Sequence, residues 1–303
     1  MPTKPPLLML VRQPELYGVD DVEEFYDLRH QPGPGIAAAF VGGCAVDAAT
    51  MDRLPDLKII ANAGVGYDKI DVPYARTKGI AVTNTPDVLT DDVADLAIGL
   101  MIAVARRLPA LDLYVREGRW QKEGSPPLAR RASGRRIGIL GLGRIGQAIA
   151  ARARPFAADI GYFSRHPRPE GADYYYADSP VALARWADVM IVALSGGRET
   201  AHLVDRVVID ALGADGTLIN VSRGSVVDEE ALVAALVDRR LGFAALDVFA
   251  AEPGVPASLL TMPNVVLSPH QGSATRETRR AMSRLALDNL AAFFGGKPLL
   301  TPV

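Results

Sequence analysis

The stretch that most constrains this chain is Ile137-Gly138-Ile139-Leu140 running into Gly141-Leu142-Gly143-Arg144-Ile145-Gly146, with helical composition from there to residue 154. A bare G-x-G-x-x-G is weak, because glycine is common here, at 28 residues. Between an apolar strand and a helix the same pattern is specific, since each glycine then has its own task. Gly141 permits the tight turn, Gly143 lets backbone N–H groups approach a pyrophosphate, and Gly146 lets helix and strand pack closely. The helix N-terminus adds unpaired N–H groups and partial positive charge. Leu142, Gly143, Arg144 and Ile145 are therefore expected to hold the phosphates of a dinucleotide. A glycine-rich turn without a ligand is the bland alternative, and the context weighs against it.

The rest of the chain supports an α/β fold. Short apolar runs alternate with longer amphipathic stretches, the signature of βα units around parallel sheets. In the first hundred residues, strands are expected at 7–11, 37–41, 58–61 and 80–83. Helical stretches lie at 71–78 and at 91–107, the latter with Thr90 as N-cap and acids in its first turn. The second half holds six runs, at 136–140, 159–163, 189–194, 217–221, 243–246 and 264–267, with an amphipathic helix at 229–241. Such continuous apolarity is what strands buried on both faces require. Six strands with helical crossovers make a full, doubly wound dinucleotide-binding sheet. Residues 116–136 are rich in charge, Gly, Pro and Ser, with Pro126-Pro127 at the centre, which places a crossover and a domain boundary nearby.

Composition removes several classes. The 303 residues suffice for two domains with real cores. Lys plus Arg total 33 against 35 Asp plus Glu, so the basic face of an electrostatic nucleic-acid binder is not expected. Cys44 is the sole cysteine, which excludes an intrachain disulfide and a Cys-rich zinc site; no metal is expected. The apolar run within residues 1–10 is too short for a signal-peptide core. The apolar helical stretch 94–104 is about half of what spans a bilayer. A cytoplasmic enzyme with no membrane contact is the plain expectation.

An acid that would bind an NAD ribose belongs about twenty residues beyond the glycine turn. The strand at 159–163 instead leads into Ser164-Arg165-His166, with Arg168 close behind. A hydroxyl and a guanidinium suit a 2′-phosphate, because Arg makes charge-assisted contacts with phosphate oxygens. NADP(H) is therefore expected over NAD(H), with NAD(H) as the lesser cofactor. A solvated basic loop is the competing reading.

Three late strands end in polar residues, where open α/β sheets bind ligands. They are Ser222-Arg223-Gly224, Asp247, and Ser268-Pro269-His270, with Glu252 shortly after Asp247. Together they make sense for reducing a carbonyl. His donates a proton near neutrality, Glu orients and supports the imidazolium, and Arg clamps a carboxylate and polarises the carbonyl. Taken singly, a strand-end His is more often structural, an Arg as often a surface ion-pair partner, and Asp247 a turn cap. Spacing alone leaves both readings open.

Taken in order, several segments resemble the D-2-hydroxyacid dehydrogenase family across residues 60–280. They are Asn62-Ala63-Gly64-Val65-Gly66-Tyr67-Asp68, Thr83 through Asp95, the glycine turn, Val221-Ser222-Arg223-Gly224, Ala245-Leu246-Asp247-Val248-Phe249 with Glu252-Pro253, and Pro269-His270 with Gly272-Ser273-Ala274-Thr275. Thr83–Asp95 and Tyr162-Phe163-Ser164-Arg165 are most similar to the NADPH-preferring glyoxylate/hydroxypyruvate and hydroxyphenylpyruvate reductases. The resemblance implies a smaller, flavodoxin-like substrate domain at 1–100 completed by 283–303, and a dinucleotide-binding domain at 101–282. The last helix, near 283–294, would return to the N-terminal half. Arg223 would bind substrate and Glu252 would pair with His270, the general acid. Val65 and Gly66 would offer N–H groups to the substrate carboxylate. Asp247 would hold the nicotinamide carboxamide, and Val221, Ser222, Arg223 and Gly272 would line the cofactor. The helix 91–107 and the arm around Trp120 would form a homodimer interface.

Two departures stand out. Gln271 follows the catalytic His where many relatives carry an apolar residue. Ser195-Gly196-Gly197-Arg198-Glu199-Thr200 replaces a proline-containing turn. A different class, the nucleotide-sensing corepressors of this fold, would need a peptide groove and regulatory tails, and the retention of Arg223, Glu252 and His270 weighs against it. A relative acting on formate or phosphite would want NAD, against which Ser164-Arg165 weighs.

Overall fold

The computed structural model describes residues 4–11, 14–18 and 22–303. Residues 1–3, part of the stretch weighed as a signal sequence, lie outside them. Contacts divide the chain into two compact units, Met1–Leu89 with Ser273–Val303, and Thr90–Gly272.

The first unit contains β1 (Pro6–Val11), α1 (Val22–Phe25), β2 (Asp27–Arg29), β3 (Ala38–Gly42), α2 (Ala48–Asp52), β4 (Ile59–Asn62), α3 (Val72–Thr77) and β5 (Ala81–Thr83), with α11 (Arg276–Phe294) from the chain's end. Its strands are all parallel in the order β2-β1-β3-β4-β5, the flavodoxin-like arrangement. Successive side chains of a strand point to opposite faces, and here both faces are covered. Leu7, Met9, Phe40, Ile59 and Ala61 pack with Ala286 and Leu290 of α11. Leu8, Ala39, Val41, Ile60 and Val82 pack on the other side with Met51, Leu54 and Val72. That is why the sequence reads as unbroken apolar runs rather than alternation.

The second unit contains α4 (Thr90–Arg106), α5 (Leu108–Arg116), α6 (Arg119–Glu123), β6 (Arg135–Leu140), α7 (Arg144–Ala153), β7 (Ala157–Phe163), β8 (Tyr175–Tyr176), α8 (Pro180–Trp186), β9 (Val189–Val192), α9 (Arg206–Leu212), β10 (Thr217–Asn220), α10 (Glu229–Val237), β11 (Phe243–Leu246) and β12 (Val265–Leu267). All its pairings are parallel, in the order β12-β11-β10-β9-β6-β7-β8. Counted outward from β6 this is the doubly wound dinucleotide-binding order with β12 appended. The strand order reverses between β6 and β9, so the crevice for a ligand opens where Leu140 and Val192 end.

Some elements differ from expectation. The contact division falls at 89/90 and 272/273, ahead of the expected limits of 100 and 282. The reason is α4, whose Asp91 and Asp95 bond Arg152 of α7 at 2.8 and 2.5 Å. The edge strands β2 and β8 were not foreseen; at three and two residues they are too short to show a period. Within the expected linker 116–136, α6 forms before the irregular stretch that leads to β6. Helix α11 starts seven residues early because the Thr275 side chain accepts from Thr278 N–H and caps it. Among the described residues no helix is long and apolar enough to cross a membrane, and no group of His, Cys, Asp and Glu is arranged to hold a metal.

Candidate active site

The glycine turn separates its three tasks cleanly. Gly141 sits at φ +105°, and an added Cβ would lie 2.8 to 3.1 Å from Leu194 and Ala193. At Gly146 a Cβ would lie 2.0 Å from the Gly141 carbonyl oxygen, so the helix rests directly on the strand end. Gly143 differs. Its φ of −80° suits any residue, and a Cβ there would meet nothing within 4 Å. Nothing within the chain asks for glycine at 143, whereas a group lying on the turn would. Helix α7 also begins without a side-chain cap, and a helix N-terminus of that kind suits phosphate oxygens. The residues present therefore fit a dinucleotide.

The rim beyond β7 is built in two layers. Ser164 is buried, and its Oγ accepts from Leu142 N–H at 3.1 Å. Its oxygen braces the glycine turn, leaving the hydroxyl proton free to donate. Arg165 points outward: its Nη1 lies 2.9 Å from Glu199 Oε2, and both side chains are 82% exposed. His166 and Arg168 are exposed beside it.

His270 follows β12 in a turn held by one buried carboxylate. Asp247 Oδ1 accepts from Ser268 Oγ at 2.5 Å and from Gln271 N–H at 2.7 Å, while Oδ2 accepts from Gly272 N–H at 2.8 Å. The His270 N–H donates to the Asp247 carbonyl at 2.8 Å. These bonds hold His270 at φ +56°, in the left-handed region that disfavours a residue with a Cβ. Its Nδ1 lies 2.9 Å from Glu252 Oε2, and Glu252 Oε1 accepts from Phe249 N–H at 3.2 Å. A carboxylate only accepts, so Nδ1 carries a proton and donates it, which leaves Nε2 as the acid–base position. The Gln271 side chain folds back to donate to the Pro269 carbonyl at 2.9 Å.

Arg223 follows β10. Ser222 is buried, its N–H donating to Asn220 Oδ1 at 3.1 Å and its hydroxyl to the Leu194 carbonyl; Asn220 Nδ2 donates to the Arg223 carbonyl at 3.0 Å. The guanidinium donates to the Ser222 carbonyl at 2.8 Å. A Cβ at Gly224 would overlap Phe249 at 2.0 Å, so the loops carrying Arg223 and Glu252 are in backbone contact there. Arg223, Glu252 and His270 thus follow three adjacent strands at one edge of one sheet.

In the first unit, the turn after β4 has its carbonyls tied down. Asn62 Nδ2 donates to the carbonyls of Gly64 and Gly66 at 2.9 and 3.1 Å, and Asn84 Nδ2 to that of Val65 at 2.9 Å. Val65 and Gly66, expected to meet a substrate carboxylate, thus lie in a turn whose carbonyls are engaged.

Comparison with known proteins shows the family. Residues 98–272 match the family model described as D-isomer specific 2-hydroxyacid dehydrogenase, NAD binding domain. A hydroxyphenylpyruvate reductase of Plectranthus scutellarioides is 54% identical over 257 residues, 85% of this chain and 82% of the relative. The chain belongs to the D-isomer specific 2-hydroxyacid dehydrogenase family. A glyoxylate/hydroxypyruvate reductase A of Arabidopsis thaliana is 53% identical over 88% of this chain and 85% of its own. The crystal structure of the NADPH-dependent glyoxylate/hydroxypyruvate reductase of Sinorhizobium meliloti, in complex with NADP and malonate, superposes with a TM-score of 0.94 at 42% identity, covering 99% of this chain and 97% of that one.

Sequence reasoning gave no supporting role to several polar residues that hold these turns within each unit. Asn62, Asn84, Asn220 and Ser268 each bond a backbone or carboxylate group of the turn beside them. A buried Asn closing an apolar strand was the available signal, since an amide there needs partners. Glu199 left no signal of its own, because its partner Arg165 is 34 residues away.

Proposed function

We propose that this dehydrogenase reduces small 2-oxo acids, glyoxylate, hydroxypyruvate and the phenylpyruvate type, to D-2-hydroxy acids with NADPH. The observation that carries the reading is the hydrogen bond from His270 Nδ1 to Glu252 Oε2 at 2.9 Å, at the carboxyl ends of the same parallel sheet whose strands lead into the glycine turn and Arg223. The first unit would be the substrate domain and the second the dinucleotide-binding domain.

When bound, the reduced nicotinamide supplies a hydride to the substrate's carbonyl carbon. His270 donates a proton from Nε2 to the carbonyl oxygen as negative charge develops there. Glu252 holds the ring through Nδ1–H and stabilises the imidazolium. The Arg223 guanidinium clamps the substrate carboxylate and polarises the carbonyl, and the N–H groups of Val65 and Gly66 bind carboxylate oxygen. Leu142, Gly143, Arg144 and Ile145 receive the pyrophosphate, with Val221, Ser222 and Gly272 lining the cofactor. Asp247 already accepts three bonds, and a carboxylate has about four acceptor positions, which leaves one for the carboxamide. Ser164, Arg165 and His166 face the adenosine ribose, and the lack of an acid directly after β7 favours a 2′-phosphate. Leu108, Leu113, Val115 and Trp120 are large apolar side chains exposed on or beside α5 and α6, which favours a homodimer through this arm.

The test is an absorbance assay of NADPH and NADH oxidation against glyoxylate, hydroxypyruvate, phenylpyruvate and pyruvate. NADPH oxidation with glyoxylate or hydroxypyruvate is expected. Oxidation of neither cofactor with any of the four acids overturns the reading.

A further inference from the structure

The loop after β9, residues 195–200, departs from the family pattern and is not used by the chemistry above. It begins at the point where the strand order reverses, beside the glycine turn. Its shape is set locally. Gly197 sits at φ +153°, in backbone suited to glycine. Thr200 N–H donates to the Gly197 carbonyl at 3.2 Å, and its Oγ1 donates to the Ser195 carbonyl at 2.8 Å. The resulting single turn, Arg198–Thr200, presents Glu199 to Arg165, with Oε2 2.9 Å from Nη1. The guanidinium assigned above to the 2′-phosphate is thus already facing a carboxylate of its own chain.

A carboxylate and a phosphate dianion on one guanidinium repel each other. Charges of that size about 5 Å apart interact appreciably even in water, though salt reduces the effect. We propose that Glu199 is a specificity-determining residue, whose carboxylate competes with the 2′-phosphate of NADPH for Arg165 and so narrows the preference over NADH. A ribose bearing only hydroxyls meets no such repulsion. The proposal rests on the assignment of Arg165 to the 2′-phosphate. It makes a counter-intuitive demand, that removing a residue at the cofactor rim should tighten NADPH.

The experiment is titration of the intact protein with NADPH and with NADH, followed by fluorescence of the reduced nicotinamide, without substrate. Wild type, Glu199→Gln, Arg165→Ala and the double variant are compared at low and high salt. Glu199→Gln keeps shape and removes charge, so the NADPH Kd should fall about three- to tenfold while the NADH Kd moves less than about twofold. High salt should shrink the NADPH gain. An unchanged or weaker NADPH Kd in Glu199→Gln, with Arg165→Ala weakening NADPH as expected, overturns the role of Glu199 and leaves the 2′-phosphate assignment standing. If Arg165→Ala leaves NADPH untouched, the assignment of Arg165 falls, and the competition falls with it.

Discussion

The two ends of the cofactor-binding edge are built to different standards. The turn carrying His270 is over-determined: one buried carboxylate accepts three hydrogen bonds, and a second fixes the ring. At the outer layer of the rim after β7, Arg165 is paired with Glu199 and both side chains are 82% exposed, an arrangement worth little to stability. On the function proposed above, chemistry would be tied to the fold, whereas cofactor selectivity would rest on side chains that can be exchanged without disturbing it. Four substitutions break or sharpen this contrast.

His270→Asn should have the largest effect. Asn tolerates left-handed backbone better than most residues, so the variant isolates the chemistry from the turn. Its kcat should fall about 10²- to 10⁴-fold, while NADPH titration stays close to wild type. A variant that keeps most of its turnover removes His270 from proton transfer.

Gly196→Ala comes next. An added Cβ would lie 2.5 Å from Arg223 Cγ, so the packing of the Arg223 stem against this loop must change although Arg223 itself is unchanged. We expect kcat/KM for glyoxylate to drop about 10- to 100-fold, with a smaller change in cofactor affinity. Steady-state kinetics with wild-type values would mean that Arg223 does not act from its present position.

Arg165→Ala should be milder. A hydrogen bond between charged groups is worth about 1.5–3 kcal/mol, and exposure places this one at the lower end. The NADPH KM should rise about tenfold, while the NADH KM and kcat stay near wild type. Equal weakening of both cofactors would make Arg165 part of a merely basic loop.

The smallest effect serves as a control at the opposite edge of the same sheet. Burial pushes the Asp188 carboxyl up, but the Arg136 N–H and guanidinium hold it below its ordinary value. A depressed carboxyl stabilises the fold above its unfolded-state value, and that stabilisation is lost as pH falls through the folded one. Asp188→Asn should lower stability by at most about 1 kcal/mol at neutral pH, with no change in either KM. Thermal denaturation should show the gap closing in acid. A gap that widens in acid contradicts the sign.

The sequence disclosed strands better than supports, for a physical reason. Two-sided burial writes each central strand as a contiguous apolar run, and β6, β10 and β11 were legible to within a residue or two. Helices α2, α8 and α9, at five to seven residues, are too short for a 3.6-residue period to stand out. At the candidate site, Arg223, Glu252 and His270 stood out because polar residues follow apolar runs at strand ends, while the roles expected of them came from the family resemblance. The bonds by which Asp247 holds the turn of His270 were not legible, since they depend on how β11 and β12 are aligned. Likewise Ser164 announced a hydroxyl at the ribose, yet the relation of β7 to β6 turns its oxygen toward Leu142.

The left-handed backbone of His270 has a consequence for how this protein can change. Left-handed backbone costs a residue with a Cβ about 1–2 kcal/mol, and glycine avoids that cost. Position 270 is therefore a place where heat resistance and turnover select opposite residues. A library screened only for survival at high temperature should drift toward Gly or Asn there, whereas one screened for oxo-acid reduction should keep His and gather its stabilising changes elsewhere.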